Sequence, residues 1–328
     1  MQAVKRGPKS WIWLAVRLLV AALALGWTFS MAPWREVMEA ASAIAPLSFA
    51  LGVALMLGNM WIGAIRWHAL LAAYGAERVP RLPFLARAYW IGTFYNTLLP
   101  ANVSGDVVRG HVTRQSFPES NAAAYVIVAI ERFFGLAGLI LVVVLVLSFH
   151  PVAEVSVPPA LALVAAGVAV GAAMSPLLAA RIGRVIPGRI GEALVALPRP
   201  TAPLWFGPTL GLSLVTHSVA SLVVWVMLRD LHPTVELLDI LVLMPLALMV
   251  IYVPITVAGL GVREVAFVGL LGEIGVNPVD ATVCSLAFMG VMLVISMGGG
   301  LSHLVAPLDW EFTPPGEKEA EGDRSSDP

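Results

Sequence analysis

The sequence predicts an all-α integral membrane protein, and three observations carry that prediction. Hydrophobic residues make up 59% of the 328-residue chain and charged residues only 12%, with a mean hydropathy of +0.85. Soluble domains carry roughly 25% charged residues. Apolar runs recur along the chain at the length of about 20 residues that a spanning helix needs. One short motif returns in the second half of the chain at a fixed offset. Together these features predict six full spans and two re-entrant helical hairpins in an inverted-topology internal repeat.

Six apolar runs are each long enough to cross the bilayer once, and two further runs are interrupted. The six runs are residues 11–30, 46–70, 120–148, 158–178, 203–229 and 278–306. The interrupted runs are residues 82–117 and 238–274, which contain a proline and glycines near the middle. Proline ends a helix and glycine permits a tight turn, so each run predicts two short helices. Such a break must face protein or water, because lipid cannot satisfy the freed backbone groups. A proline kink in a continuous helix is the alternative.

Basic residues concentrate on one side of the predicted spans: before the first run, after the second, and between the fourth and fifth, whereas the opposite loops carry only Arg35 and Arg229. The residues on the basic side are Lys5, Arg6, Lys9, Arg78, Arg81, Arg181, Arg184, Arg189 and Arg199. The positive-inside rule places this side, and with it both termini, in the cytoplasm. Six full spans satisfy that orientation only if each interrupted run enters and leaves the membrane on the same side. The sequence therefore predicts two re-entrant hairpins, dipping in from opposite faces.

The two interruptions have closely similar sequences. The string "PANVSGDVVR" covers residues 100–109 and "PITVAGLGVR" covers 254–263, an offset of 154 residues with five of ten positions identical. A similar offset relates span 46–70 to 203–229. Each half then has three spans, an odd number, so the second half must be inverted relative to the first. Inverted repeats with interrupted helices in matching positions are typical of transporters, whose binding sites lie at the breaks.

The predicted organisation is two repeats and a tail. Residues 1–150 form the first inverted repeat and residues 151–307 the second. Residues 308–328 hold seven acidic and two basic residues with several prolines. That composition predicts a disordered cytoplasmic tail.

The residues at the breaks have chemistry suited to an anion. A helix that restarts after a break presents free N–H groups and the positive end of its dipole. Arg109 and Arg263 follow one to two turns later and add guanidinium donors suited to phosphate. Asp106 could orient Arg109 or cap its helix. The alternative is that both arginines serve structure only, paired with Asp106 and Glu264.

Charged residues inside a predicted span are costly and usually face the protein interior. Glu131 and Arg132 lie well inside 120–148, and adjacent helical residues point in different directions, so each needs its own partner. Glu131 could neutralise an arginine of a hairpin, and a structural and a functional role both stay open. Arg66, near the end of the second span, is expected to anchor the helix at the cytoplasmic surface, and ligand binding is the alternative.

Other residues have simpler interpretations. His217 is expected to be packed or hydrogen-bonded, and Cys284 to be a small core residue. Gly207, Gly211 and residues 298–300 suit close contact between helices. The sequence has no Walker loop, GxGxxG, HExxH, paired CxxC or GxSxG motif, and no loop long enough for a soluble catalytic domain. ATP-driven transport by this chain alone is not expected, and neither is a metal or other cofactor.

Three blocks of the sequence resemble the lysylphosphatidylglycerol synthase transmembrane, or flippase-like, family. They are "GTFYNTLLPANVSGDVVR" at 92–109, "ERFFGL" at 131–136 and "VPITVAGLGVREVAF" at 253–267. The resemblance covers nearly the whole chain up to about residue 307. The first block departs from the family at Ala101 and Ser104, where glycine is more usual, and this could stiffen the hairpin tip. The aminoacyltransferase domain of the two-part family enzymes is absent here, so lipid aminoacylation is not expected.

The resemblance implies movement of an amphipathic lipid between the leaflets of a bacterial inner membrane. The implied partners are membrane lipids that carry phosphate, and not nucleic acid. A second copy of the chain or lipid-synthesis enzymes stay open as partners. The candidate substrate-binding residues are the motif positions together with two polar residues at the first break: Asn96, Pro100, Asn102, Ser104, Gly105, Asp106, Arg109, Glu131, Arg132, Gly259, Gly261, Arg263 and Glu264.

Three functions from different classes stay open, of which a lipid translocator is favoured. A lipid gradient or coupled protons would drive it, with Glu131 or Asp106 as the proton carrier. The second is an intramembrane transferase or hydrolase on a polyprenyl-phosphate lipid, with one of these carboxylates as base and the arginines as phosphate clamps. The third is an accessory scaffold of a lipid or glycolipid synthesis complex.

Overall fold

The described part of the chain is helical. A computed structural model describes residues 8–98, 103–120, 122–152, 155, 158, 160–252 and 261–308. Within these ranges an isolated bridge between Val152 and Val155 is the one β-type pairing, and no strand is present. The described α-helices are α1 (Pro8–Met31), α2 (Trp34–Ala41), α3 (Pro46–Ala73), α4 (Leu82–Leu98), α5 (Ser104–Val112), α6 (Ala123–Leu147), α7 (Ala160–Gly183), α8 (Arg189–Val195), α9 (Phe206–Leu231), α10 (Leu237–Tyr252), α11 (Val262–Gly272) and α12 (Pro278–Val305).

Five helical segments of the described chain are long and apolar enough to cross a membrane. They are α3, α6, α7, α12 and the segment Pro203–Leu231 that contains α9. Their ends fall within five residues of five of the runs predicted above. The prediction of an all-helical integral membrane protein is therefore confirmed. Helix α1 covers the remaining run, 11–30, but half of its side chains lie outside the described residues, so its crossing stays a prediction.

Each interrupted run contains two helices instead of one. Helices α4 and α5 occupy the first run, and α10 and α11 occupy the second. Gly261 precedes α11 with a φ of +82°, a left-handed conformation that glycine adopts without a steric penalty. Residues 99–102 and 253–260, which join the helices of each pair, lie outside the described residues.

The helices of the two halves have corresponding packing partners. Helix α3 packs against α9 at the centre of the bundle. Around this pair, α4 contacts α12 while α10 contacts α6, and α5 contacts α6 while α11 contacts α12. Helices α3 and α4 are in contact, as are α9 and α10. Each short helix that follows a break therefore lies against the next long helix. The division into repeats at residues 1–150 and 151–307 stays a prediction.

Glycines allow close helix contact at one of the two expected places. Residues 298–300 of α12 lie against α4, and a Cβ at Gly299 would meet the Trp90 carbonyl oxygen at 2.5 Å. The expectation for Gly207 and Gly211 is wrong within this chain, because a Cβ at either position would have no described atom within 4 Å. These two glycines lie on the outer surface of α9, where no described helix packs.

The expectations for His217 and Cys284 are confirmed. His217 is 9% exposed, and its Nε2 lies 2.9 Å from the carbonyl oxygen of Gly135. Cys284 is fully buried within the apolar core around α9, α10 and α12. Both side chains serve packing between neighbouring helices.

Candidate functional site

Five charged side chains from three helices form one cluster inside the bundle. Arg66 comes from α3, Asp106 and Arg109 from α5, and Glu131 and Arg132 from α6. Arg66, Arg109 and Glu131 are only 7%, 6% and 2% exposed. The three guanidinium groups and two carboxylates leave one net positive charge. A buried excess of positive charge favours a negatively charged ligand.

Glu131 joins the helices of this cluster. Its Oε1 accepts hydrogen bonds from Nε and Nη2 of Arg66, at 3.1 and 3.0 Å. Its Oε2 accepts one from Nη2 of Arg109. Nη1 of Arg66 also donates to the hydroxyls of Ser213 and Thr216 on α9, both at 3.3 Å. Glu131 therefore ties α6 to α3 and α5, and Arg66 extends the network to α9.

The expectation that Arg66 anchors α3 at the membrane surface is wrong. Its side chain is buried and donates to a carboxylate and two hydroxyls of the interior. If it extended to the surface instead, the fully buried Glu131 would lose one of its two cationic partners. A signal for this role was present in the sequence. A carboxylate in one predicted span requires a cation, and the neighbouring spans offer few.

Arg109 lies between two aromatic rings. The central carbon of its guanidinium lies 4.4 Å from the ring centroid of Trp67 and 4.3 Å from that of Tyr89. Both distances are within the range of cation–π attraction. The rings fix the plane of the guanidinium and leave its edges for Glu131 and Asp106. The Nε of Arg109 is buried and has no hydrogen-bond partner among the described atoms, so this N–H donor is unsatisfied within the described structure.

Close contact between α4 and α5 brings Arg109 to this position. Asn96 on α4 accepts a hydrogen bond from the backbone N–H of Gly105, at 2.8 Å. A Cβ at Gly105 would overlap the carbonyl oxygen of Gly92, so only glycine fits there. Gly105, near the start of α5, contacts Asn96 and Gly92 in the later part of α4. Arg109, one turn further along α5, contacts Tyr89, which comes earlier in α4. Helix α5 therefore runs back along α4. Asn96 also satisfies one of the N–H groups that were expected to face a ligand.

Asp106 lies between two guanidinium groups. Its Oδ2 accepts a hydrogen bond from Nε of Arg132, and its Oδ1 lies 3.8 Å from Nη1 of Arg109. It does not cap α5, because the N-cap residue is Val103, and the side chain that accepts from an N–H at that end is Asn96. Of the two roles considered for Asp106, the geometry favours orienting Arg109. Its side chain is 15% exposed and that of Arg132 is 36% exposed, so this pair lies nearer the outside than Glu131.

The cluster borders a cavity of about 160 Å³. That volume is well above the roughly 10–15 Å³ needed for one water molecule, so it can hold a small polar group such as phosphate. The residues that line the cavity are Arg66, Tyr89, Gly92, Thr93, Asn96, Asp106, Arg109, Glu131 and Arg132. All come from the first half of the chain.

The corresponding arginine of the second half lies in a different setting. Glu264 accepts from Nε and Nη2 of Arg263, at 3.1 and 2.5 Å, and from the hydroxyl of Ser285, at 3.2 Å. Its other oxygen accepts from the N–H of Gly261, at 2.7 Å. Arg263 also donates to Ser285, at 3.1 Å. This second cluster is electrically neutral, and neither Arg263 nor Glu264 lines the cavity.

The residues predicted from the sequence therefore fall into three groups. Those at or beside the cavity are Asn96, Gly105, Asp106, Arg109, Glu131 and Arg132, with Ser104 at the start of α5. Gly261, Arg263 and Glu264 form the second cluster. Pro100, Asn102 and Gly259 lie outside the described residues. Sequence reasoning missed Trp67 and Tyr89, for which no pattern in the sequence gives a signal, because their role depends on where Arg109 comes to lie.

The fold and this cluster define a helical integral membrane protein with a buried cationic site beside a broken helix. The family model for the lysylphosphatidylglycerol synthase TM region matches residues 14–300, and the chain belongs to that family. Comparison with curated proteins gave no match. Family membership agrees with the resemblance of the three sequence blocks and indicates a function related to membrane lipids.

Proposed function

We propose that this protein moves a lipid with an anionic headgroup between the leaflets of a membrane. The observation that carries the proposal is the buried cluster of three arginines and two carboxylates beside a cavity. A charge inside a membrane costs several kcal/mol unless it is compensated, and a lipid phosphate would compensate the excess here. Arg109 lines the cavity, and two aromatic rings hold its guanidinium, a group suited to phosphate, in a fixed plane.

The same proposal includes re-entrant hairpins at α4–α5 and α10–α11, in an inverted repeat with six full spans. The contacts of the two arginines support it. Arg109 pairs with Glu131 on the next long helix, and Arg263 donates to Ser285 on its own next long helix. Glu131 and Ser285 are separated by 154 residues, the same offset as the arginines. The proposal places the protein in a bacterial inner membrane, with both termini in the cytoplasm.

Transport is favoured over chemistry because the carboxylates are already engaged. A general base needs a free lone pair within reach of the proton that it removes. Both oxygens of Glu131 accept hydrogen bonds from arginines, and both oxygens of Asp106 face guanidinium groups. These carboxylates orient and neutralise cations, as a binding site requires. A transferase or hydrolase would need one of them to take a proton while it faces these cations, and the cations favour the charged carboxylate.

Translocation by reconstituted protein tests the proposal. Vesicles would contain a fluorescent phosphatidylglycerol, and quenching from outside would report the rate at which it changes leaflet. The variant Arg109→Gln removes the excess charge, and we expect it to lower the protein-dependent rate at least tenfold. The control Arg184→Gln removes an exposed arginine far from the cavity and should retain the wild-type rate. Equal rates in the two variants, at equal monodispersity and unfolding temperature, would show that the Arg109 cluster is not the site of translocation.

The same experiment separates the other two functions. A chemically altered fluorescent lipid, detected by mass spectrometry, would indicate an intramembrane enzyme. An inactive wild-type protein that purifies with a lipid-synthesis enzyme, with or without Arg109, would indicate a scaffold. Intact lipid in the opposite leaflet supports the translocator.

A further inference from the structure

The two carboxylates of the cluster differ in how firmly they are held. Glu131 is 2% exposed and each of its oxygens is bonded to an arginine of another helix. Asp106 is on the more exposed side of the cavity and pairs with Arg132, whose side chain is 36% exposed. Its second oxygen is 3.8 Å from Arg109, beyond hydrogen-bond distance. Glu131 is therefore a fixed part of the site, whereas Asp106 is the carboxylate that an incoming anion can displace.

We propose that Asp106 is an internal competitor of the transported headgroup. In the empty protein its carboxylate occupies Arg132 and one side of Arg109, the two cationic groups that a phosphate would also bind. When a lipid phosphate enters the cavity, it takes over these donors and Asp106 moves aside. When the lipid leaves, Asp106 returns. This inference rests on the proposed function and adds a means by which the site releases its ligand.

The physical reason for such a competitor is the strength of the site without it. Three arginines around one buried carboxylate would carry two net positive charges, and charge-assisted hydrogen bonds between guanidinium and phosphate are strong. A carrier that holds its lipid too firmly translocates slowly, because release limits the rate. The carboxylate of Asp106 lowers the net charge to one and offers Arg109 and Arg132 a replacement for the phosphate. Exchange of one anionic group for another then keeps the positive charge of the site compensated while the lipid leaves.

Binding of a short-chain lipid tests the competitor directly. The probe is dihexanoyl phosphatidylglycerol, titrated into purified full-length protein in a neutral detergent, with zwitterionic dihexanoyl phosphatidylcholine as the neutral comparison. The variant Asp106→Asn keeps the size of the side chain and removes its charge. Because a partly exposed ion pair is weak, we expect the anionic probe to bind about twofold to fivefold more tightly. The control Glu119→Gln removes an exposed carboxylate from the loop before α6 and should leave the affinity unchanged.

A charge-restoring pair of variants separates competition from a structural role. Arg132→Gln lowers the net charge of the cluster to zero and should weaken binding of the anionic probe at least tenfold. The double variant Asp106→Asn, Arg132→Gln returns the net charge to one, and we expect its affinity to lie within about threefold of the wild-type value. If the Asp106–Arg132 pair only supports the fold, the double variant will bind no better than Arg132→Gln. The double variant also serves if Asp106→Asn alone does not fold, because it removes the two opposite charges of the pair together.

The outcomes distinguish this inference from the proposed function. Weaker or unchanged binding in Asp106→Asn, in a protein whose wild-type form binds the probe and whose Arg109→Gln variant does not, overturns the competitor and leaves the anion site in place. Failure of the wild-type protein to prefer the anionic over the zwitterionic probe overturns both. Tighter binding in Asp106→Asn together with slower translocation at saturating lipid supports both.

Discussion

Glu131 is the residue on which the buried cluster most depends. It accepts hydrogen bonds from Arg66 of α3 and Arg109 of α5 and is itself on α6, so three helices meet at one carboxylate. The pairing compensates charges that would be expensive within a membrane. Loss of this residue should therefore affect the stability of the bundle as well as ligand binding.

Substitution of Glu131 by glutamine should destabilise the protein strongly. Removing one partner of a buried ion pair typically costs about 3–5 kcal/mol, and here two arginines lose their acceptor. Thermal unfolding in detergent, followed by intrinsic tryptophan fluorescence, measures the change. The exposed Glu119→Gln variant is the control and should unfold at the wild-type temperature. An unfolding temperature of Glu131→Gln equal to that of the control would show that the cluster does not hold the helices together.

The sequence identified some residues of the cluster and not others, for physical reasons. Arg109 and Asp106 stand beside a helix break, and Glu131 is a charge inside an apolar run, so each could be recognised locally. Trp67 and Tyr89 are unremarkable aromatic residues in apolar helices. They contact Arg109 only because α5 runs back along α4 and places the guanidinium between α3 and α4, which no local pattern specifies. The position of Arg66 near the end of a predicted span favours the membrane surface. The sequence alone does not show that Arg66 is the cation with which Glu131 pairs.

At the scale of helices, the contact between α4 and α5 depends on Gly105. A Cβ there would overlap the backbone oxygen of Gly92, which cannot rotate away as a side chain could. We expect Gly105→Ala to separate the two helices and to abolish protein-dependent translocation. Gly211→Ala is the matched control, because a Cβ at that helical position meets nothing within 4 Å. That variant should be active, and more stable by about 0.5–1 kcal/mol since alanine favours the helix.

The two arginines that follow the breaks should differ in what they contribute. Arg109 belongs to a cluster with excess positive charge, whereas Arg263 forms a neutral pair with Glu264 and does not line the cavity. We expect Arg263→Gln to lower the unfolding temperature, because Glu264 is 1% exposed and would lose its cation. In a folded preparation, its affinity for dihexanoyl phosphatidylglycerol should stay within about threefold of the wild-type value, while Arg109→Gln binds weakly. Equal loss of affinity in both variants would mean that the second cluster also binds the anion.

At the scale of the whole molecule, the proposed hairpins would determine which loops share a side of the membrane. Cysteine labelling in intact cells tests this, with the buried Cys284 first replaced by alanine. If α4–α5 is re-entrant, cysteines at Glu77 and Glu119, in the loops before and after the pair, are both labelled only after the membrane is permeabilised. Cysteines at Thr234 and Glu273, around α10–α11, are then both labelled from outside. If the cysteines introduced at Glu77 and Glu119 were labelled from opposite sides, the α4–α5 pair would cross the membrane.

Apolar length was a reliable guide to the overall architecture. Five helical segments of the described chain match predicted spans, because about 20 apolar residues leave a membrane-embedded chain few alternatives to a helix. The breaks within the two interrupted runs were also predictable, since proline and glycine act locally. The sequence did not reveal that the two arginine sites would differ. The position that holds Glu131 in the first half holds Ser285 in the second, and the carboxylate of the second site comes instead from Glu264, beside its arginine.

Native mass spectrometry of the purified protein most directly tests the claim that the buried arginine cluster binds an anionic lipid. The wild-type protein and the surface variant Arg184→Gln should both retain a lipid with a phosphate headgroup and a net negative charge. The variant Arg109→Gln, whose cluster has no net charge, should lose it. Retention of the same lipid by all three proteins, or of zwitterionic lipid only, would contradict the claim.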